Sequence, residues 1–360
     1  MADGTPVQGS VWFYAPSKVG PILFTVLFGL SGAFHLWQCF HYKWFRVTAY
    51  LPFCCILFTA GFALRTVGAN DYGNSNIYIA STILIYTAPP ILELANYHIL
   101  GRALYYVPYF SPIHPGRVLT TLGTLSVVVE SLNGSGIAYL STSRTNGNNN
   151  ERRYALGLNL LRTSLALQLA VILFFYALAV VFHTRCARAG LNRRIRTVLV
   201  SLYVSMLLIL ARTVYRTVEH FAVADAATPA GVTTPGHGPS PGSSEEESWR
   251  GLSPIVRYEW FFWVFEAVPM LANVLLWNAL HPRHRCGGNL PRDHRHYLAQ
   301  DGETELDGPG WADRRNVVMT TIDPFGLLAM CEKERKGEIF WEENGYHHLL
   351  ATKRENGQDV

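Results

Sequence analysis

Charge is what this sequence has little of. Of its 360 residues only 16% are Asp, Glu, Lys or Arg, while 49% are hydrophobic, too apolar for two or three soluble domains of the same length. Cysteine is also sparse, at six. Cys54 and Cys55 fall within an apolar block, Cys39, Cys186 and Cys286 near its basic side and Cys331 in the tail, so a disulfide framework is not expected. No Cys/His spacing suggests a metal site, and scattered histidines without paired Asp or Ser argue against an intramembrane hydrolase. No GxxxxGK[ST] loop occurs, which excludes a nucleotide-driven pump within this chain. Met1 to Ser10 is polar and lacks the basic and apolar regions of a cleavable signal. The net charge of +4 comes from basic residues flanking apolar blocks, with no basic groove interleaved with stacking aromatics, so no nucleic-acid partner is expected. No cofactor is implied.

The apolar residues come in blocks. Lipid offers no partners to backbone N–H and C=O groups, so a span is a helix of about 20 mostly apolar residues. Seven segments qualify: 19–40, 45–67, 77–105, 118–142, 156–183, 197–221 and 256–280. The expectation is an all-α membrane protein, a seven-transmembrane helix bundle.

Basic residues near span ends are retained on the cytoplasmic side. With the N-terminus outside, the inner segments hold Lys43, Arg46 and Arg117, five arginines from Arg185 to Arg196, and Arg283, Arg285, Arg292 and Arg295. The outer ones hold Lys18, Arg144, Arg152, Arg153 and Arg250, which predicts an extracellular N-terminus (1–18) and a cytoplasmic C-terminus. Residues 222–253, rich in Pro, Gly and Ser, are read as a disordered outer loop, and 283–360 as a largely disordered tail.

Polar residues inside spans are costly in lipid and are therefore the candidates for function. In the sixth segment Arg212, Tyr215, Arg216 and Glu219 recur at helical spacing and share one face. In the seventh, Glu259 and Glu266 stand seven residues apart, which predicts that both face Arg212 and Arg216; Pro269 follows as a kink. The third segment carries Pro89 and Pro90, expected to break or kink the helix, then Glu93, Asn96 and Tyr97. The fourth carries Glu130 and Asn133 on one face, with Gly134 and Gly136 small enough for close helix approach. Together they would line a polar cavity suited to an amphiphile with a charged or hydroxylated head. The plainer reading is that buried Arg–Glu pairs are clamps and Pro and Gly serve packing.

With these residues assembled, the chain resembles the fungal RTA-like family, also described as lipid-translocating exporters. The resemblance runs from about Tyr14 to Pro282. It is carried by Tyr14-Ala15-Pro16-Ser17, Gly61-Phe62 with Arg65, Ala88-Pro89 through Tyr97 to Gly101-Arg102, Arg212-x-x-Tyr215-Arg216-x-x-Glu219, Glu259, Phe265-Glu266-Ala267-x-Pro269-Met270 and His281-Pro282. Departures are Phe58 in place of an acid ahead of Gly61, Glu130 and Asn133 for an Asp and Gln pattern, and Glu266 for an Asp. The resemblance implies transbilayer movement of membrane lipids or amphiphiles such as sphingoid long-chain bases, resistance to toxic amphiphiles, a plasma-membrane location and no enzymatic activity. A seven-helix lipid sensor signalling through inner loops and tail stays open beside it.

Overall fold

The computed structural model describes residues 16–71, 73–143, 150–189, 193–226, 253–284, 287–293, 295–298, 305–307 and 316–323. They form α1 (Val19–Tyr42), α2 (Phe45–Thr48), α3 (Tyr50–Gly68), α4 (Ser75–Tyr106), α5 (Pro115–Ser143), α6 (Asn150–Arg188), α7 (Arg193–Ala226), α8 (Pro254–Arg257), α9 (Trp260–Ala279) and α10 (Val317–Ile322). Among the described residues six helical stretches are long and apolar enough to cross a bilayer: α1, α2 with α3, α4, α6, α7 and α9. The exception among the long helices is α5. Its 29 residues extend about 43 Å at 1.5 Å per residue, enough to cross, but Ser, Thr and Gly dilute its apolarity. Apart from these helices and a short 3₁₀ turn at Pro108–Phe110, a two-stranded antiparallel ladder pairs β1 (His296–Leu298) with β2 (Glu305–Asp307).

Two compact units emerge. The first takes residues 1–93, 135–165 and 207–278, the second 94–134, 166–206 and 279–360, so α4, α5, α6 and α7 each contribute residues to both. The core of the first is an aromatic column: Phe28 stacks on Phe58 at 4.5 Å, Phe24 on Phe62 at 5.4 Å, and Phe24 on Trp263 at 5.2 Å, joining α1, α3 and α9. Phe58 is fully buried there. Helix approach in this unit depends on missing side chains. A Cβ on Gly61 would meet Ile85 Cγ1 at 2.6 Å and the Ile85 backbone nitrogen at 3.2 Å, so α3 and α4 touch backbone to backbone. Gly136 likewise meets Gly157 O at 3.1 Å, whereas Gly134 has nothing within 4 Å and plays no such part. His35 is a satisfied core histidine, with Nε2 at 3.0 Å from the Val274 carbonyl.

In the second unit α4 meets neighbouring helices through neutral hydrogen bonds. Asn96 Nδ2 donates to Ser205 Oγ at 2.7 Å and that hydroxyl returns a bond to Asn96 Oδ1 at 3.0 Å. Tyr97 meets Ser126 at 3.2 Å and lies against Phe175. Parts of the tail fold back here: Tyr106 donates to Glu305 at 3.0 Å, Arg102 to the Arg292 carbonyl, and Thr121 to the Thr320 carbonyl at 3.2 Å. Within the stretch expected to be a disordered outer loop, 222–226 complete α7, and 227–252 lie outside the described residues. Within the expected disordered tail, β1, β2 and α10 are formed, and 324–360 lie outside.

Candidate functional site

The candidate site lies in the first unit, where α7 and α9 bring charge together. Glu266, 0% exposed, sits in a π-helical turn, Trp263–Ala267, two residues ahead of Pro269. A proline has no N–H for the preceding turn and its ring crowds the carbonyl four residues back, so a widened turn there relieves the clash. Glu266 accepts from Arg212 Nε at 3.0 and 3.1 Å and from Arg216 Nε at 2.8 Å. Arg216 Nη1 donates to the Tyr86 hydroxyl and to the Glu219 carboxylate, while Tyr215 donates to the other Glu219 oxygen at 3.2 Å. The Arg216 guanidinium lies 3.9 Å over the Tyr86 ring and 5.8 Å from that of Phe262.

Glu259 departs from expectation. Its partners are Arg65 Nη2 at 2.9 Å and the Ser17 backbone N–H at 2.8 Å, not Arg212 or Arg216. Seven residues of regular helix would have stacked it over Glu266. The π-turn between them absorbs an extra residue and rotates the preceding segment by about 100°, so Glu259 turns toward α3. Arg65 is covered by Phe262 at 4.3 Å and Trp263 at 5.4 Å. Three guanidiniums thus meet three carboxylates, as burial requires, since an unpaired charge in an apolar interior costs several kcal/mol.

The hydrogen bonds are unevenly shared. All carboxylate oxygens of Glu259 and Glu266 have donors, whereas Arg212 reaches Glu266 through Nε alone and its two η-nitrogens have no acceptor among the described residues. Arg216 Nη2 is buried without an acceptor. The cluster is therefore rich in donors and holds no free carboxylate at Glu266.

The other candidates are not gathered here. Glu93 is buried on α4; Asn96 and Tyr97 make the bonds already described in the second unit; Glu130 is exposed and Asn133 half-buried on α5. The helix runs unbroken across Pro89 and Pro90, and Cys54 Sγ approaches the Ala88 carbonyl at 3.3 Å beside them. Ser17, Tyr86 and Phe262 are additions that periodicity does not reveal. Ser17 acts through its backbone and Phe262 through its ring face, and neither leaves a polar pattern in a span. Among the described residues no cluster of His, Cys, Asp and Glu could hold a metal. The described cavities of about 320 Å³ beside Asp293, Arg295, His296 and Asp307, and of about 460 Å³ along Asp71 to Asn76, are lined by none of the candidates.

Apolar helices of spanning length around buried, paired charges define a multi-pass membrane protein. The family described as RTA1 like protein matches residues 51–227. The chain is 41% identical over 359 residues to a lipid-translocating exporter-like protein RTA1 of Leptosphaeria maculans, covering 95% of this chain and 65% of that one. It is 28% identical over 305 residues to a protein of the same name from Ajellomyces capsulatus, with 81% and 85% covered. With Protein RTA1 of Saccharomyces cerevisiae it shares 23% over 344 residues, 86% and 94% covered. The chain belongs to the RTA1-like family, and it spans less than two thirds of the length of the first of these relatives. No solved structure matches.

Proposed function

We propose that this protein moves lipids or related amphiphiles across the plasma membrane, with the chain crossing seven times, N-terminus outside and C-terminus inside, and so confers resistance to toxic amphiphiles. Its function on this reading is transport, not catalysis. The observation that carries it is the buried pair Arg212 and Arg216, which share one carboxylate and keep donor groups in reserve. Charge held inside a membrane bundle is costly and is the usual mark of a substrate path. The names of the relatives, lipid-translocating exporter-like proteins, agree with it. Sphingoid long-chain bases, which the sequence resemblance suggests, are the first substrates to test.

The test is transbilayer movement of a fluorescent long-chain base and of its phosphate in vesicles carrying the purified protein. Movement faster than in protein-free vesicles, and lost in a folded Glu266→Gln protein, is expected. Rates equal to empty vesicles for both lipids would overturn the proposal. A lipid sensor is the second reading, favoured by the tail folding back through Glu305 and Thr320 onto α4 and α5. Removing residues 301–360 separates the two: a translocator keeps its movement, and a sensor loses its output.

A further inference from the structure

We infer that the Arg212–Arg216 pair is a recognition site for an anionic, acceptor-rich head, a phosphate monoester or carboxylate on a single alkyl chain, and that Glu219 is the internal anion such a head displaces. This inference rests on the translocator reading and names the substrate class of that same site.

A head carrying an ammonium needs acceptors, and every oxygen of the two buried carboxylates already receives a donor. Glu266 takes three hydrogen bonds from two guanidiniums, and Glu259 takes Arg65 and the Ser17 amide. What remains unmatched is donor capacity. Among the described residues both η-nitrogens of Arg212 lack an acceptor, and its side chain is 13% exposed, so it can be reached. Arg216 Nη2 lacks one as well, although Arg216 is nine-tenths buried or more. A buried donor without an acceptor is costly, and a planar guanidinium edge suits two oxygens of one phosphate or carboxylate.

Glu219 supplies the missing step. Its side chain, 21% exposed, is the most accessible of the cluster's three carboxylates, and it lies across Arg216 Nη1 with Tyr215 holding its other oxygen. An incoming anion that takes this edge replaces like with like and keeps the site near neutrality. The alkyl chain has a track beside it. Leu207, Ala211, Val214 and Val218 recur along one exposed face of α7, and Arg212 directly follows Ala211. The sequence motif Arg212-x-x-Tyr215-Arg216-x-x-Glu219 is on this account a head-group cradle with its own placeholder.

The test measures binding of dodecyl phosphate, dodecanoate and dodecylamine to the full-length protein in neutral detergent, with inorganic phosphate as a competitor. The anionic amphiphiles should bind at least about tenfold more tightly than the amine, the size expected of charge-assisted bidentate contacts. Arg212→Gln should abolish that preference, Arg212→Lys should restore only part of it, and Glu219→Gln should strengthen anion binding several-fold. Competition by inorganic phosphate at millimolar levels would show that the head alone suffices; no competition would show that the chain contributes, and both agree with the site. Equal or tighter binding of the amine, or weaker anion binding by Glu219→Gln, overturns the inference. Circular dichroism and gel filtration of each variant exclude misfolding as the cause. Vesicle transport separates this inference from the reading beneath it. Anion binding without movement overturns the translocator and leaves the site, whereas movement with a preference for amines does the reverse.

Discussion

Glu259 and Glu266 stand seven residues apart on one stretch of chain, and their surroundings differ in kind. Glu259 answers a single guanidinium and the backbone N–H of Ser17, under the rings of Phe262 and Trp263. It ties the entry to α1, the end of α3 and the start of α9 together. Glu266 is shared by two guanidiniums whose remaining donors outnumber the local acceptors. Equal chemistry in the sequence thus becomes a closed clamp at one position and an open-handed site at the other. What separates them is the π-turn next to Pro269, together with the stoichiometry of arginine to glutamate.

The largest effect falls on Glu266. Glu266→Gln leaves two guanidiniums in the interior with only Glu219 as counter-charge, and breaking a buried pair in this way costs about 3–5 kcal/mol. A thermal melt of the purified protein in detergent should fall well below wild type; an unchanged melt would show that Arg212 and Arg216 reach water, and would dissolve the distinction. Arg65→Leu should cost less, about 2–3 kcal/mol, because Glu259 keeps the Ser17 amide as a donor. The comparison sharpens in the double variant Arg65→Leu with Glu259→Leu. A clamp replaced by well-packed apolar groups recovers most of its stability, and head-group preference should survive intact. Loss of preference in that folded double variant would make the Glu259 region part of the site.

The helices were legible because lipid leaves a chain few choices. Blocks of about 20 apolar residues mark spans, and the expected 19–40 and 77–105 compare with Val19–Tyr42 and Ser75–Tyr106. The ends run further than apolarity alone predicts, as in Asn150–Arg188 against 156–183, since polar residues continue a helix past the hydrocarbon. The one-face grouping of Arg212, Arg216 and Glu219 was also legible, because helical spacing within one segment needs no knowledge of neighbours. Of the pairings between segments, spacing foresaw Glu266 with Arg212 and Arg216 but not the others. Arg65 finds Glu259 only after a π-turn has rotated it, and Tyr86 enters through its ring and hydroxyl from a third helix. Ser205 and Ser126, the partners of Asn96 and Tyr97, belong to a residue type too common in helices to single out.

The smallest effect tests whether the second unit is scaffold. Asn96 and Ser205 exchange two hydrogen bonds between α4 and α7, and Asn96 also approaches Met206 Sδ at 3.2 Å. Neither partner is charged, so removing one leaves an unmatched dipole rather than an unmatched charge. Polar pairs between membrane helices contribute only about 1 kcal/mol, because the separated helices find other partners. Asn96→Ala and Ser205→Ala should therefore each lower the melt slightly, and the double variant should lower it by less than the sum, with a coupling of about 1 kcal/mol. Lipid movement should be unaffected by any of the three. If movement instead fails in a stable Asn96→Ala protein, the neutral pair lies on the substrate path, and the division between a charged site and a neutral scaffold is wrong.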